Sequence, residues 1–197
     1  MLSIKSVFAA LALLLSATLA AAPAAIAQGT NVIVIERTKI FAQSKVGQDI
    51  RTKLGGIEAA MQGELKPIAD QLQAEGTALE NKTQGMTREA ILADAALTAE
   101  VEALARNSTD FNRRRQIVAQ ELALTERKAL VDFNSVLVPV LQDVIAERGA
   151  NVILDKSEVV FVDDATDVTD SVSEKLDAAT PTMTVVRQTM PTQQPQQ

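Results

Sequence analysis

Two apolar stripes of different period run through residues 44–148, and they leave few folds open to the chain. In the first, Val46, Ile50, Leu54, Ile57, Met61, Leu65, Ile68, Leu72 and Leu79 follow steps of four, four and three. That spacing draws one narrow line along a helix. A repeat of eleven is about 3.67 residues per turn, so the helix should be nearly straight or weakly right-coiled. The second stripe is heptad-like: Leu97, Leu104, Phe111 and Val118 recur at one position and Val101 and Leu122 fill the other, with Ser108 and Arg115 as polar interruptions. Two such lines joined by a short turn can cover each other, which predicts an antiparallel helical hairpin.

The turn is placed at Asn81 to Met86, where Gly85 can take the positive φ that ends a helix and Thr87 can cap the next. The first helix then covers Ser44 to Lys82 and reaches roughly 60 Å at 1.5 Å per residue. The second helical region, Thr87 to Arg148, is 23 residues longer and needs another packing partner. From Lys128 to Ile145 its apolar residues crowd almost every face, the mark of a buried helix. Pro139 should kink or restart it, and Gly149 should stop it. Gly47, Gly55, Gly56 and Pro67 are expected to bend or loosen the first helix without breaking it.

The composition suits a seam better than an enzyme core. Apolar residues make up 47% of the 197-residue chain but aromatic ones only 3%, so small and branched aliphatics supply the burial. A formal charge of −6 argues against a nucleic-acid partner held by phosphate contacts. Absence of Cys and His removes thiol nucleophiles, imidazole bases and most transition-metal sites, and no cofactor or catalytic residue is expected. Carboxylates are plentiful but scattered, with no spacing that suggests an acid–base pair.

Residues 1–27 have the pattern of a cleaved signal peptide: Lys5, an apolar run from Val7 to Leu19, and Ala25-Ile26-Ala27 as the cleavage site. Export without disulfides fits the periplasm. No second apolar stretch is recognised after it, so a soluble product is expected. Beyond the leader, Val32 to Ile35 predicts a strand buried on both faces. Val152-Ile153-Leu154 and Val159 to Val162 predict two more strands joined by a polar loop, making a three-stranded sheet, with Val32, Val34, Val152, Leu154, Val160 and Val162 assigned to the core of the body and of the oligomer it forms. Asp167 should cap a last helix with Val168, Val172 and Leu176 on one face. The tail after Ala179 is rich in Pro and Gln, and disorder is expected there. The fold class is therefore mainly α with a small β-sheet. A body of residues 28–43 and 128–179 carries a hairpin arm of residues 44–127, and a tail of residues 180–197 follows. So small a sheet leaves open edges, which oligomerisation would cover.

This order of elements, with Glu147-Arg148-Gly149-Ala150-Asn151-Val152-Ile153-Leu154-Asp155 and the helix start Asp167-Val168-Thr169-Asp170, resembles the Skp (OmpH) family of periplasmic chaperones over roughly residues 31–178. The resemblance implies a homotrimer whose helical arms enclose a cavity and an ATP-independent holdase for unfolded outer-membrane β-barrel proteins. The best-known member has basic arms. Here residues 44–148 hold 13 Lys or Arg against 16 Asp or Glu. A coiled-coil spacer or adaptor in the cell envelope is the competing reading.

Candidate contact residues are few. Arg113-Arg114-Arg115 could meet an anionic client, a membrane or a lipopolysaccharide surface, although successive helical residues point about 100° apart. The plainer reading is a solvated face paired with Asp110 or Glu121. Asp163, Asp164, Asp167 and Asp170 lack the turn-forming Gly of a calcium loop and suit a helix start instead. The arm seam is assigned to Ile50, Leu54, Ile57, Met61, Ile68, Leu72, Leu97, Val101, Leu104, Phe111 and Val118.

Overall fold

A computed structural model describes residues 29–190, so the expected signal peptide and residues 191–197 lie outside the described residues. The branched run Val32–Ile35 forms strand β1, which pairs in parallel with β2, Val152–Asp155, in the register Val32 to Val152 and Ile35 to Asp155. Parallel strands cannot be joined by a tight turn. Residues 36–151, nearly all helical, are therefore the crossover between them.

The crossover begins with α1, Arg37–Gln43, and α2, Lys45–Thr83. Between them Ser44 is fully buried, and its hydroxyl accepts from the Gly47 amide at 3.2 Å. A Cβ on Gly47 would lie 1.9 Å from the Phe41 carbonyl oxygen, so this glycine is required by a close approach of backbone rather than by flexibility. Gly55, Gly56 and Pro67 leave α2 unbroken. Gly85, at φ 81°, makes the turn. The Thr87 hydroxyl then caps the short α3, Arg88–Ala93, from the Ala90 amide.

The single second helix expected from Thr87 onward is in fact two. Asp94 is extended, and its carboxylate accepts from the amides of Ala96 at 2.9 Å and Leu97 at 3.1 Å, starting α4, Ala95–Arg148. A side chain that competes so well for free amides favours a fresh start over continuation. Pro139 does not restart α4, which runs through it. Pro139 is exposed, where water can take the carbonyl its ring displaces. Gly149, at φ 60°, closes the helix, with the Ala150 amide reaching back to the Ile145 carbonyl.

The expected third strand does not form. Asp155 accepts from both the amide and the hydroxyl of Ser157, closing a one-turn 3-10 helix at Lys156–Glu158, and residues 159–168 continue irregularly. Val160 and Phe161 are left 107% and 83% exposed. The free edge of β1 is met instead by residues 166–168: Val34 donates to the Thr166 carbonyl at 2.8 Å and accepts from Val168 at 2.9 Å. Helix α5, Thr169–Ala179, follows, with Val168, Val172 and Leu176 buried and the Asp167 carboxylate accepting from the Thr169 amide.

The core lies where α1, the start of α2, the second half of α4, α5 and one face of the sheet meet. It contains Ile33, Ile35, Ile40, Ile50, Phe133, Leu137, Val140, Val144, Val172 and Leu176, with Phe41 edge-on to Phe133 at 4.9 Å. Side chains alternate along a strand, so Val32, Val34, Val152 and Leu154 belong to the opposite sheet face. Of the six residues assigned to the body core, Val34 alone is buried; Val32, Val152, Leu154 and Val162 are half-buried and Val160 is bare. An uninterrupted branched run has no alternation from which to choose a face.

Candidate functional site

Helices α2 and α4 pair in opposite directions: Lys82 bonds Glu100 at 2.7 Å near the turn, and Glu64 meets Arg114 at 3.2 Å farther from it. Between these points a cleft of about 340 Å³ is lined by Ile68, Gln71, Leu72, Asn107, Asp110, Phe111 and Arg114. The residues assigned to the seam divide by position. Met61, Leu97 and Val118 are buried, and Ile57, Leu72, Leu104 and Phe111 are half-buried. Ile50 belongs to the core, with half-buried Leu54 packed against it. Ile68 and Val101 are 40% and 41% exposed, contrary to their assignment. Two helices cover only facing lines, so a residue slightly off the line stays wet.

The arginine triplet does not act as one patch. Arg113 pairs with Asp110 on its own helix, Arg114 reaches across to Glu64, and Arg115 is exposed and makes no ion pair among the described residues. Glu121 is instead the partner of Arg187, from the segment expected to be disordered. Nε and Nη2 of Arg187 donate to one Glu121 oxygen at 3.1 and 2.6 Å, and Nη1 pairs with Glu64. The other Glu121 oxygen accepts from the Met190 amide at 3.0 Å. Burial pushes the Glu121 carboxyl up, but Arg187 and the Met190 amide together hold it below its usual value. Arg187 is correspondingly raised by its bonds to Glu64 and Glu121.

The rest of residues 181–190 is held as well. The Met183 amide donates to Asp49 at 2.9 Å, Lys53 donates to the Met183 carbonyl, and the Gln188 amide donates to the buried Thr125 hydroxyl at 2.9 Å. Side chains of α2 and α4 thus satisfy main-chain groups that would otherwise call for water. Composition alone could not reveal this, because the partners are more than sixty residues away in sequence.

A second surface lies at the body. Leu130, Val131 and Val138 project from α4 exposed, near-half bare or more, although α4 was expected to be buried all round there. One 18-residue window of α4 is, against the expectation of no second apolar stretch, long and apolar enough to cross a membrane; Phe133, Leu137, Val140 and Val144 on the same helix are committed to the core. An open cleft of about 640 Å³ beside Leu130 is lined by Glu36, Arg37, Phe41, Phe133, Asp155 and Lys156 among others. Ser157 and then Arg37 hold the Asp155 carboxyl well below the usual carboxylate range. Burial raises Asp167, but Lys156 and Thr169 outweigh it and bring it to about 2. Asp163 accepts from the Ala165 amide and Asp170 pairs with Lys39. These carboxylates already serve turns and ion pairs.

The family model for outer membrane protein (OmpH-like) matches residues 31–176, which is most of the chain and runs from β1 into the last helix. This chain belongs to the OmpH-like family. A crystal structure of an OmpH-like protein from Caulobacter crescentus CB15, a proposed outer membrane chaperone, is similar at 27% identity with a TM-score of 0.71, covering 84% of this chain and 94% of that one. Among curated proteins nothing matches. The OmpH-like match ends at residue 176, so the 181–190 segment and its Arg187 lie beyond it. The one trace of that segment in the sequence is its Thr-Val-Val-Arg run, a lone cation in an otherwise uncharged tail.

Proposed function

We propose that this OmpH-like protein is a periplasmic, non-enzymatic holdase that needs no ATP and keeps unfolded outer-membrane β-barrel proteins from aggregating. The observation that carries this reading is the helical pair's incompletely covered apolar line: Ile68 and Val101 are exposed beside the half-buried Leu72, Leu104 and Phe111. Such a surface offers many weak, adaptable contacts to an extended apolar chain, and affinity then comes from their number rather than from one pocket.

The reading extends to a homotrimer in which the body, with its bare Leu130, Val131, Val138, Val160 and Phe161, is completed by sister copies and the helical pairs serve as arms around the client. A body with so much apolar surface and a two-stranded sheet has reason to associate. Family membership and the likeness to the Caulobacter protein support the chaperone role in general.

The test uses the chain without residues 1–27. Light scattering should give three times the protomer mass, and near-stoichiometric protein should suppress light-scattering growth when a urea-denatured outer-membrane β-barrel is diluted, with and without ATP alike. No suppression, together with capture of one defined folded envelope protein, would replace the holdase with a spacer or adaptor.

A further inference from the structure

The way residues 183–190 are held differs from ordinary tail packing. Three of their main-chain amides, those of Met183, Gln188 and Met190, donate to Asp49, Thr125 and Glu121, side chains of α2 and α4. Gln188 and Met190 are two residues apart, so in an extended chain their amides point to the same side, toward α4. Thr125 is buried with its hydroxyl donating to the Glu121 carbonyl at 2.6 Å, which leaves its oxygen lone pair facing the Gln188 amide. Glu121 is buried as well and accepts from Arg187 and Met190 on its two oxygens. Beside it, Lys53, Gly56, Ile57 and Ala60 of α2 form a shallow trough against Thr184 and Val185.

We propose that the base of the helical pair carries a groove for an extended, arginine-bearing peptide segment, and that residues 183–190 occupy it in cis. Recognition through main-chain amides tolerates varied side chains, whereas the Glu64 and Glu121 carboxylates select one. Arginine gives Nε and both Nη groups to two acceptors at once, which a lysine ammonium cannot reproduce. The tether from α5 sets a high local concentration of the internal segment, so an external one must compete with it. Any bearing on clients rests on the holdase reading above; peptide binding itself does not.

The probe is a fluorescent synthetic peptide of residues 181–190, titrated by anisotropy into the full chain and two variants. Arg187→Ala weakens the internal occupant and leaves the groove intact, so it should bind the peptide at least about tenfold more tightly than the unaltered chain. Glu121→Gln frees the same segment but damages the groove, and should show no such gain. A peptide carrying Ala in place of Arg187 should bind the Arg187→Ala protein about tenfold more weakly. Circular dichroism checks that helix content is retained, and Arg187→Lys, with a smaller gain, substitutes if Arg187→Ala loses it. Equal binding to all proteins, or an equal gain in both variants, overturns the proposal. Peptide binding without suppression of β-barrel aggregation would leave the groove standing and sink the holdase reading alone.

Discussion

Phe133 and Phe111 lie on the same helix and meet different surroundings. Phe133 is buried among α1, α2 and α5 and packs edge-on to Phe41, whereas Phe111 is half-buried in a cleft that only α2 and α4 supply. The difference is the number of elements that reach the side chain. Where several helices and a sheet converge, apolar residues lose nearly all contact with water; where two helices lie alone, side chains off the facing line keep a wet edge, as at Ile68, Val101 and Phe111. The first arrangement fixes a structure, and the second leaves apolar surface for a guest, with local opening easier toward the turn.

Substitution at the two phenylalanines tests that contrast most strongly. Phe133→Ala should cost about 4 kcal/mol in denaturant unfolding, while Phe111→Ala should cost about 1.5 kcal/mol, because the second ring is only partly withdrawn from water. Equal losses would break the comparison. Glycines at the two kinds of site should differ even in sign. Gly47→Ala forces the Phe41 carbonyl aside and should cost about 2–3 kcal/mol, whereas Gly55→Ala, with open space around it, should gain about 0.5–1 kcal/mol through helix propensity. Thermal or denaturant midpoints of the two variants check this.

Acid should sharpen the comparison further. Asp155 and Asp167 have folded-state values below the ordinary 3.8, so the stability they contribute is present above that pH and lost as pH falls, through about 2 for Asp167 and lower still for Asp155. Both lie at the body, so hydrogen exchange between pH 4 and 2 should rise first around β2 and α5, ahead of the helices near Gly85. A small loss is expected at Gly149, where Ala must adopt φ 60° and should cost about 1 kcal/mol, read from the unfolding midpoint.

Much of the fold was legible before any coordinates. The first stripe located α2 to within one residue at each end, and Gly85, Thr87 and Gly149 marked turn, cap and stop because each has a local backbone reason to be there. The Asp94 break was harder to see, since a lone Asp inside an alanine-rich helical run shows only a modest propensity penalty. The third strand was misread because Val159 to Val162 has every local preference for a strand, yet Asp155 and Ser157 close a 3-10 turn after β2 in place of a hairpin. At the candidate site the stripe residues were named, but the role of Arg187 was not, because nothing near it in sequence predicts Glu64 and Glu121 as partners.

By itself the sequence determined where α2 starts and stops, where α4 ends, the spacing of apolar residues along both, and the family to which the chain belongs. Those features are local, set by backbone freedom and by the period of side chains along one element. Which face of the sheet is inward, why Gly47 must lack a side chain, and where residues 181–190 lie were decided only in three dimensions. Each depends on atoms brought together from distant parts of the chain, and no pattern within one segment contains that information.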